Sequence, residues 1–196
     1  MSGAIVPHTV HFTGENSFLR LKTEEGGEDT TTCAHWRGLI SPAGPGHVLF
    51  LQSDATDGGI RVYSDNEGFA RFIQIIEETL HPKTFANKDL PIIDAKFSNS
   101  GDIGTSFTET VSSAEGEIVM RWSDMGEPYM LAVAPGNDMT GEWGVYSCLT
   151  PAATASLTVA GSCRGGENLS RHDGRPSKRH VLSRLVGNLG ALRDGR

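Results

Sequence analysis

Glu109 is the residue of this sequence best placed for chemistry, because apolar residues flank it at strand spacing. Residues 105–111 alternate so that Phe107, Glu109 and Val111 share one face of a strand. If that face is buried, the carboxylate must meet a cation or a hydrogen-bond donor, or keep its proton and act as a general acid or base. The pattern marks Glu109 as a candidate catalytic residue for metal-independent chemistry.

Arg121 is the partner that the sequence suggests for Glu109. It lies between Val119 and Ser123 on the next predicted strand, and a hairpin brings side chains of neighbouring strands within reach of each other. The pair is either a structural ion pair or part of a ligand-binding cavity. The other candidate ligand-binding residues for that cavity are Asp94, His35, Trp36 and Tyr129.

Metal and cofactor motifs are weak in this chain. His8 and His11 have the H-x-x-H spacing of many zinc sites, but on a strand these positions point to opposite faces. Residues 54–59 (DATDGG) lack the ligand spacing of a calcium loop and predict a hairpin turn. We therefore predict no metal and no cofactor. The absence of G-x-S-x-G and P-loop motifs excludes the kinase, NTPase and Rossmann classes.

Strand patterning dominates the sequence that must position these residues. Residues 6–12 and 18–22 predict two strands around a turn at Gly14-Glu15-Asn16, and residues 92–133 predict a meander of four strands. Residues 142–149 and 155–159 predict a last pair joined across Pro151. About ten strand candidates at this spacing indicate an antiparallel barrel or sandwich.

A single helix is predicted at about residues 65–80. Ser64 with Glu67 three residues later forms a capping-box pattern. The apolar stripe that follows faces a core and consists of Phe69, Phe72, Ile73, Ile76 and Leu80. Glu77 and Glu78 are expected to face water. The predicted fold class is therefore mainly β, a β-rich α+β domain over residues 1–162, with one amphipathic helix across an open end or one face.

The charge of the chain changes abruptly near residue 163. Residues 1–163 carry 9 Lys and Arg against 21 Asp and Glu, whereas residues 164–196 carry 8 against 3. We interpret residues 163–196 as an Arg-rich tail, partly helical or disordered, with an apolar stripe at 177–193. The tail either docks on the acidic body, contacts an anionic membrane or nucleic acid, or results from translation out of frame.

The general properties of the chain predict a cytoplasmic protein. No transmembrane segment is present in the sequence, and the three cysteines form no close pair. The acidic body disfavours nucleic acid as a partner, except through the tail. The leading functional hypothesis is binding of a small organic molecule in the barrel or sandwich, with acid–base chemistry by Glu109. The alternative is a non-enzymatic interaction domain that uses the acidic surface.

Overall fold

The protein is mostly β-structure with one helix, in a computed structural model that describes residues 10–22, 29–56, 58–80, 89–136, 144–159, 169–170, 181–184 and 189–190. Up to residue 159, the described elements are β1 (Val10–Lys22), β2 (Asp29–Ile40), β3 (Gly46–Ser53), β4 (Ile60–Ser64), α1 (Glu67–Leu80), β5 (Ile92–Asp102), β6 (Ser106–Ser113), β7 (Gly116–Met125), β8 (Tyr129–Val133) and β9 (Val145–Val159), with a 3₁₀ turn at Asp54–Thr56. The predicted mainly β fold class with a single helix is confirmed. No helix in the described part of the chain combines the length and apolar character that a membrane crossing requires.

The strands form one curled sheet, a half-barrel. Strands β1 to β7 follow each other in order, and β9 pairs with β7 along its second half and with β8 along its first half. Neighbouring strands are antiparallel except β4 and β5, because α1 carries the chain back to the starting end between them. The predicted meander is confirmed for β5, β6 and β7, whereas β8 pairs with β9.

Two predicted strand pairs are instead single long strands. β1 continues through Gly14 with a shift in its register against β2 between Thr13 and Gly14, and a Cβ atom at Gly14 would lie 2.1 Å from the carbonyl oxygen of Arg37 on β2. The glycine is therefore used for close backbone approach rather than for a turn. β9 likewise continues through Pro151, whose carbonyl accepts a hydrogen bond from the backbone N–H of Gly126 at 2.8 Å.

The concave, inner face of the sheet holds the larger core. Every strand from β1 to β7, together with β9, contributes to it through alternate positions, as the period of two requires. The fully buried side chains of this core are Leu19, Leu49, Leu51, Met120 and Trp122, with Cys33, Tyr63, Val111, Ile118 and Leu157 beside them. The indole Nε1 of Trp122 donates to the carbonyl of Phe18 at 3.0 Å and so links β7 to β1, two strands that do not pair with each other.

α1 covers the outer face of β1 to β4 and creates a second core. Its residues Phe69, Ala70 and Ile73 pack on Phe12, Ala34, Trp36, Val48, Phe50 and Val62. Gly38 allows this contact, because a Cβ there would lie 2.3 Å from the ring of Phe69. The N-cap of α1 is Asn66 rather than Ser64, since the side-chain oxygen of Asn66 accepts from the N–H of Phe69 at 3.1 Å.

The prediction that Glu77 faces water is wrong. It is fully buried beneath α1, and its carboxylate accepts a hydrogen bond from Nε1 of Trp36 at 2.5 Å. Most of residues 163–196, and with them most of the predicted apolar stripe at 177–193, lie outside the described residues. The described backbone of β11 (Val181–Arg184) pairs with β1 and β9, while β10 (Leu169–Ser170) pairs with β9 and β12 (Leu189–Gly190) with β1.

Candidate functional site

The inner face of β1 to β4 is organised in rows that cross the strands. The register places Glu15 opposite Arg37 and Arg37 opposite His47, and Asp65 follows β4 next to His47. We call these four residues the rim row. One step deeper, the next row consists of Ser17, His35, Leu49 and Tyr63. Strand pairing alone therefore groups polar residues that are distant in the sequence.

His35 and Glu109 meet on the inner face from strands that are not neighbours. Nδ1 of His35 on β2 lies 3.3 Å from Oε1 of Glu109 on β6, and the two residues are only 2% and 5% exposed. The other ring nitrogen of His35, Nε2, is buried and has no hydrogen-bond partner among the described residues. The carboxylate favours a proton on Nδ1, which leaves Nε2 as the nitrogen able to accept a proton from a ligand.

His47 and Asp65 form a second imidazole–carboxylate pair, in the rim row. Nδ1 of His47 lies 2.7 Å from Oδ2 of Asp65, and the backbone N–H of His47 donates to Oδ1 at 2.6 Å. Ser64 fixes the same residue from the other side, because its hydroxyl donates to the carbonyl of His47 at 2.6 Å. Both carboxylate oxygens of Asp65 are thus engaged, and the position of the His47 ring is set by β4.

The two imidazoles are part of a stack of three rings. The rings of His35 and His47 are 6.0 Å apart between centroids and within 3° of parallel. Phe97 of β5 lies 5.4 Å from His35 and 5.1 Å from His47, also nearly parallel to both. An apolar ring beside both histidines keeps water from one side of each pair, which strengthens their electrostatic contacts.

Arg37 completes the set of basic side chains. Its Nη1 contacts Oε2 of Glu15 at 3.2 Å, and its side chain is 38% exposed. Arg37, His35 and His47 therefore occupy adjacent positions on the inner face of the β2–β3 hairpin. Each has one carboxylate partner that comes from a different element.

A surface depression of about 520 Å³ opens beside the rim row. Its volume lies within the range of small-molecule sites. The side chains of Arg37, His47, Asp65 and Asn66 line it together with Gly38, Leu39, Pro45 and Gly46. Asn66 holds the wall in place, because its amide donates to the carbonyls of Ala43 and Pro45.

The structure brings together only two of the residues predicted for the site. His35 and Glu109 are paired, whereas Arg121, Asp94 and Tyr129 are exposed to solvent. The predicted Glu109–Arg121 pair is wrong, because Glu109 lies opposite Met120 and Arg121 lies opposite Thr108.

Trp36 is on the outer face under α1, away from the paired imidazoles. The site residues that the sequence reasoning missed are Glu15, Arg37, His47, Asp65 and Phe97. Arg37 could have been found from the sequence, because it lies two positions after His35 and therefore on the same face of the strand.

A second polar group lies on the inner face, deeper along β4. Glu115 accepts a hydrogen bond from the hydroxyl of Tyr63 at 3.0 Å and pairs with Arg61. Burial, followed by this hydrogen bond, raises the pKa of Tyr63, and the bond to Glu115 raises the pKa of Arg61. Burial alone raises the pKa of the Cys33 thiol. Tyr63 and Arg61 both bind the carboxylate of Glu115, which indicates a structural role.

Comparison with known proteins does not assign this chain to a family. No family model, no curated protein and no solved structure matches this chain. Among the described residues, no group of three or more His, Cys, Asp or Glu side chains has an arrangement that could hold a metal ion. The site must therefore be interpreted from its own geometry.

Proposed function

We propose that this protein binds a small organic molecule at the rim of its half-barrel and that its two imidazole–carboxylate pairs exchange protons with that molecule. The single observation that carries the proposal is Nε2 of His35, a buried polar atom with no partner among the described residues. Buried polar atoms are nearly always hydrogen-bonded, and a group left without a partner costs about 1–3 kcal/mol. A ligand at this position would remove that cost.

The geometry of both pairs suits general acid–base chemistry. In each, a carboxylate faces Nδ1, at 3.3 Å for Glu109 and His35 and at 2.7 Å for Asp65 and His47. A carboxylate in this place orients the ring and stabilises the imidazolium that forms when Nε2 takes up a proton. Glu109 thereby acts through His35, as a positioning residue.

The depression places a ligand beside one of the two pairs. It is lined by His47 and Asp65, and the ring of His47 stacks on that of His35. A molecule in the depression contacts the exposed pair directly, and the proposal requires that part of it extend past the His47 ring to Nε2 of His35, which does not line the depression. Leu39 and Pro45 supply apolar surface for its hydrocarbon part.

A ligand screen read at the histidine rings tests the proposal. The Cε1–H resonances of His35 and His47 would be followed by NMR while small organic acids, alcohols, amines and amides are added. We expect at least one class to shift both resonances and to raise the melting temperature of the protein, since a ligand that binds only the folded state stabilises it.

Variants identify the site of any ligand that is found. His35→Gln and His47→Gln should each weaken binding at least about tenfold, whereas Arg121→Gln, exposed on β7, should leave it unchanged. The proposal is wrong if no compound moves either histidine resonance, or if binding is equally tight in the two histidine variants and in wild type.

A further inference from the structure

We infer that the ligand is an organic acid, with its carboxylate bound by Arg37 and a neighbouring hydroxyl group directed at Nε2 of His47. This inference rests on the proposed function, because it names the class of molecule for the same site. Some polar groups of the rim row already have hydrogen-bond or ion-pair partners, and others have donors or acceptors left for a ligand.

The carboxylates of the rim row are occupied. Both oxygens of Asp65 accept hydrogen bonds from His47, one from its backbone and one from its ring. Glu15 is engaged by Arg37. A positively charged ligand would have to compete with these contacts, which disfavours amines.

The donors of Arg37 are mostly unused. A guanidinium carries five N–H donors, and within the described residues Arg37 makes one contact, from Nη1 to Glu15 at 3.2 Å. A planar guanidinium binds a carboxylate through two parallel hydrogen bonds, so Arg37 can hold Glu15 and a ligand carboxylate with different N–H groups. Its position in the wall of the depression makes those groups accessible.

His47 lies where it can bind the next atom of such a ligand. It is directly opposite Arg37 on the neighbouring strand, and side chains in that relationship have Cβ atoms roughly 4.5–5.5 Å apart. Because Asp65 holds Nδ1, Nε2 remains to accept a hydrogen bond or a proton from a hydroxyl group close to the carboxylate. The two residues together match a hydroxy acid.

The overall charge of the protein makes this local arrangement informative. The chain has a formal net charge of −7, which repels anions at long range. Within the rim row the two basic side chains lie next to each other at the centre and the carboxylates lie at the ends, so an anion at the centre contacts Arg37 and His47. The apolar lining from Leu39 and Pro45 then favours an acid with a hydrocarbon body.

Mandelate and mandelamide test the inference, because they have nearly the same shape and differ in charge. We expect mandelate to shift the Cε1–H resonance of His47 in a saturable manner and mandelamide to bind at least about tenfold more weakly. Arg37→Gln should reduce mandelate binding at least about tenfold, and Arg37→Lys should have an intermediate effect because it keeps the charge but not the planar fork. Arg121→Gln is the matched control and should bind mandelate as wild type does.

The failures of the two proposals are distinguishable. If mandelamide binds as tightly as mandelate, or if Arg37→Gln binds mandelate normally, the organic-acid assignment is wrong while the ligand site at the histidines stands. If mandelate leaves the histidine resonances unchanged and another class in the screen shifts them, the assignment is also wrong. If nothing in the screen shifts them, both proposals fail.

Discussion

Nδ1 of His35 lies 3.3 Å from Oε1 of Glu109, and this contact joins strands that three other strands separate in the sheet. β2 and β6 meet across the concave face because the sheet curls. The pair therefore links the two sides of the half-barrel as well as orienting an imidazole. Its loss should affect both stability and the site.

Replacing Glu109 with Gln should destabilise the protein, because a neutral amide holds His35 less strongly than a carboxylate does. We expect the free energy of unfolding to fall by about 1–3 kcal/mol, as for other hydrogen-bonded contacts to charged groups. Urea denaturation at neutral pH measures this. Glu117→Gln is the matched control, exposed on β7, and should change the free energy by less than about 0.5 kcal/mol. Equal midpoints for the two variants would contradict the role given to Glu109.

Glu77 is expected to anchor α1 to the sheet. Its truncation to Ala leaves Nε1 of Trp36 without this acceptor in a buried interface, which should cost about 1–3 kcal/mol. Thermal unfolding followed by tryptophan fluorescence measures the stability. The adjacent Glu78 accepts a hydrogen bond from Gln74 on the same helix, so Glu78→Ala should cost about 0.5 kcal/mol or less. An equal effect of the two substitutions would show that the buried contact is unimportant.

Tyr63 should make stability fall at alkaline pH. Its pKa is raised in the folded state by burial and by the hydrogen bond to Glu115, whereas in the unfolded chain it ionises near pH 10. Above about pH 10 the unfolded state alone loses this proton, so the stabilisation that Tyr63 provides below that pH is progressively lost.

The Tyr63→Phe variant isolates that contribution. It should be less stable than wild type by about 1 kcal/mol at pH 7, and the difference should shrink between about pH 9 and about pH 11. Denaturation curves across this range provide the measurement. Tyr129→Phe, at an exposed position, should follow the wild-type pH dependence. A constant difference between wild type and Tyr63→Phe would refute the assignment.

Cys33 should be inert to thiol reagents in the folded protein. Burial raises its pKa, and only the thiolate is nucleophilic. Two matched variants each keep one thiol: Cys148→Ser with Cys163→Ser leaves Cys33, and Cys33→Ser with Cys163→Ser leaves Cys148. We expect the thiol of Cys148, which is half-buried, to react at least about tenfold faster with a chromogenic disulfide. Similar rates before unfolding would show that β2 opens readily.

The sequence predicted the face of Glu109 but not its partner, and the reason is the register of one hairpin. The two-period pattern of β6 is unambiguous, so the burial of Glu109 was predictable. The register of β6 against β7 depends on the geometry of the turn between them, and a shift of one residue moves a side chain to the opposite face. Such a shift separates the predicted neighbour Arg121 from the observed neighbour Met120.

The partners across the concave face were not predictable in the same way. His35 and Glu109 meet because of the curl of the whole sheet, which no local pattern specifies. Predicting the rim row requires less information about the fold than predicting the contact of His35 with Glu109. Arg37 and His47 lie on the consecutive strands β2 and β3, so predicting this one hairpin with its register would place them opposite each other.

The helix covers only part of the sheet, so the covered strands and the uncovered strands should unfold locally at different frequencies. β2 and β3 are packed on both faces, by the inner core and by α1, whereas Asp94, Lys96 and Arg121 face solvent from β5 and β7. Amide hydrogens of β2 and β3 should therefore exchange with solvent only when the whole domain unfolds, while those of β5 exchange through smaller, more frequent openings. His35 on β2 and His47 on β3 would then lie on strands that rarely unfold locally. A ligand in the depression beside Arg37 and His47 would then bind against the part of the sheet that unfolds least often.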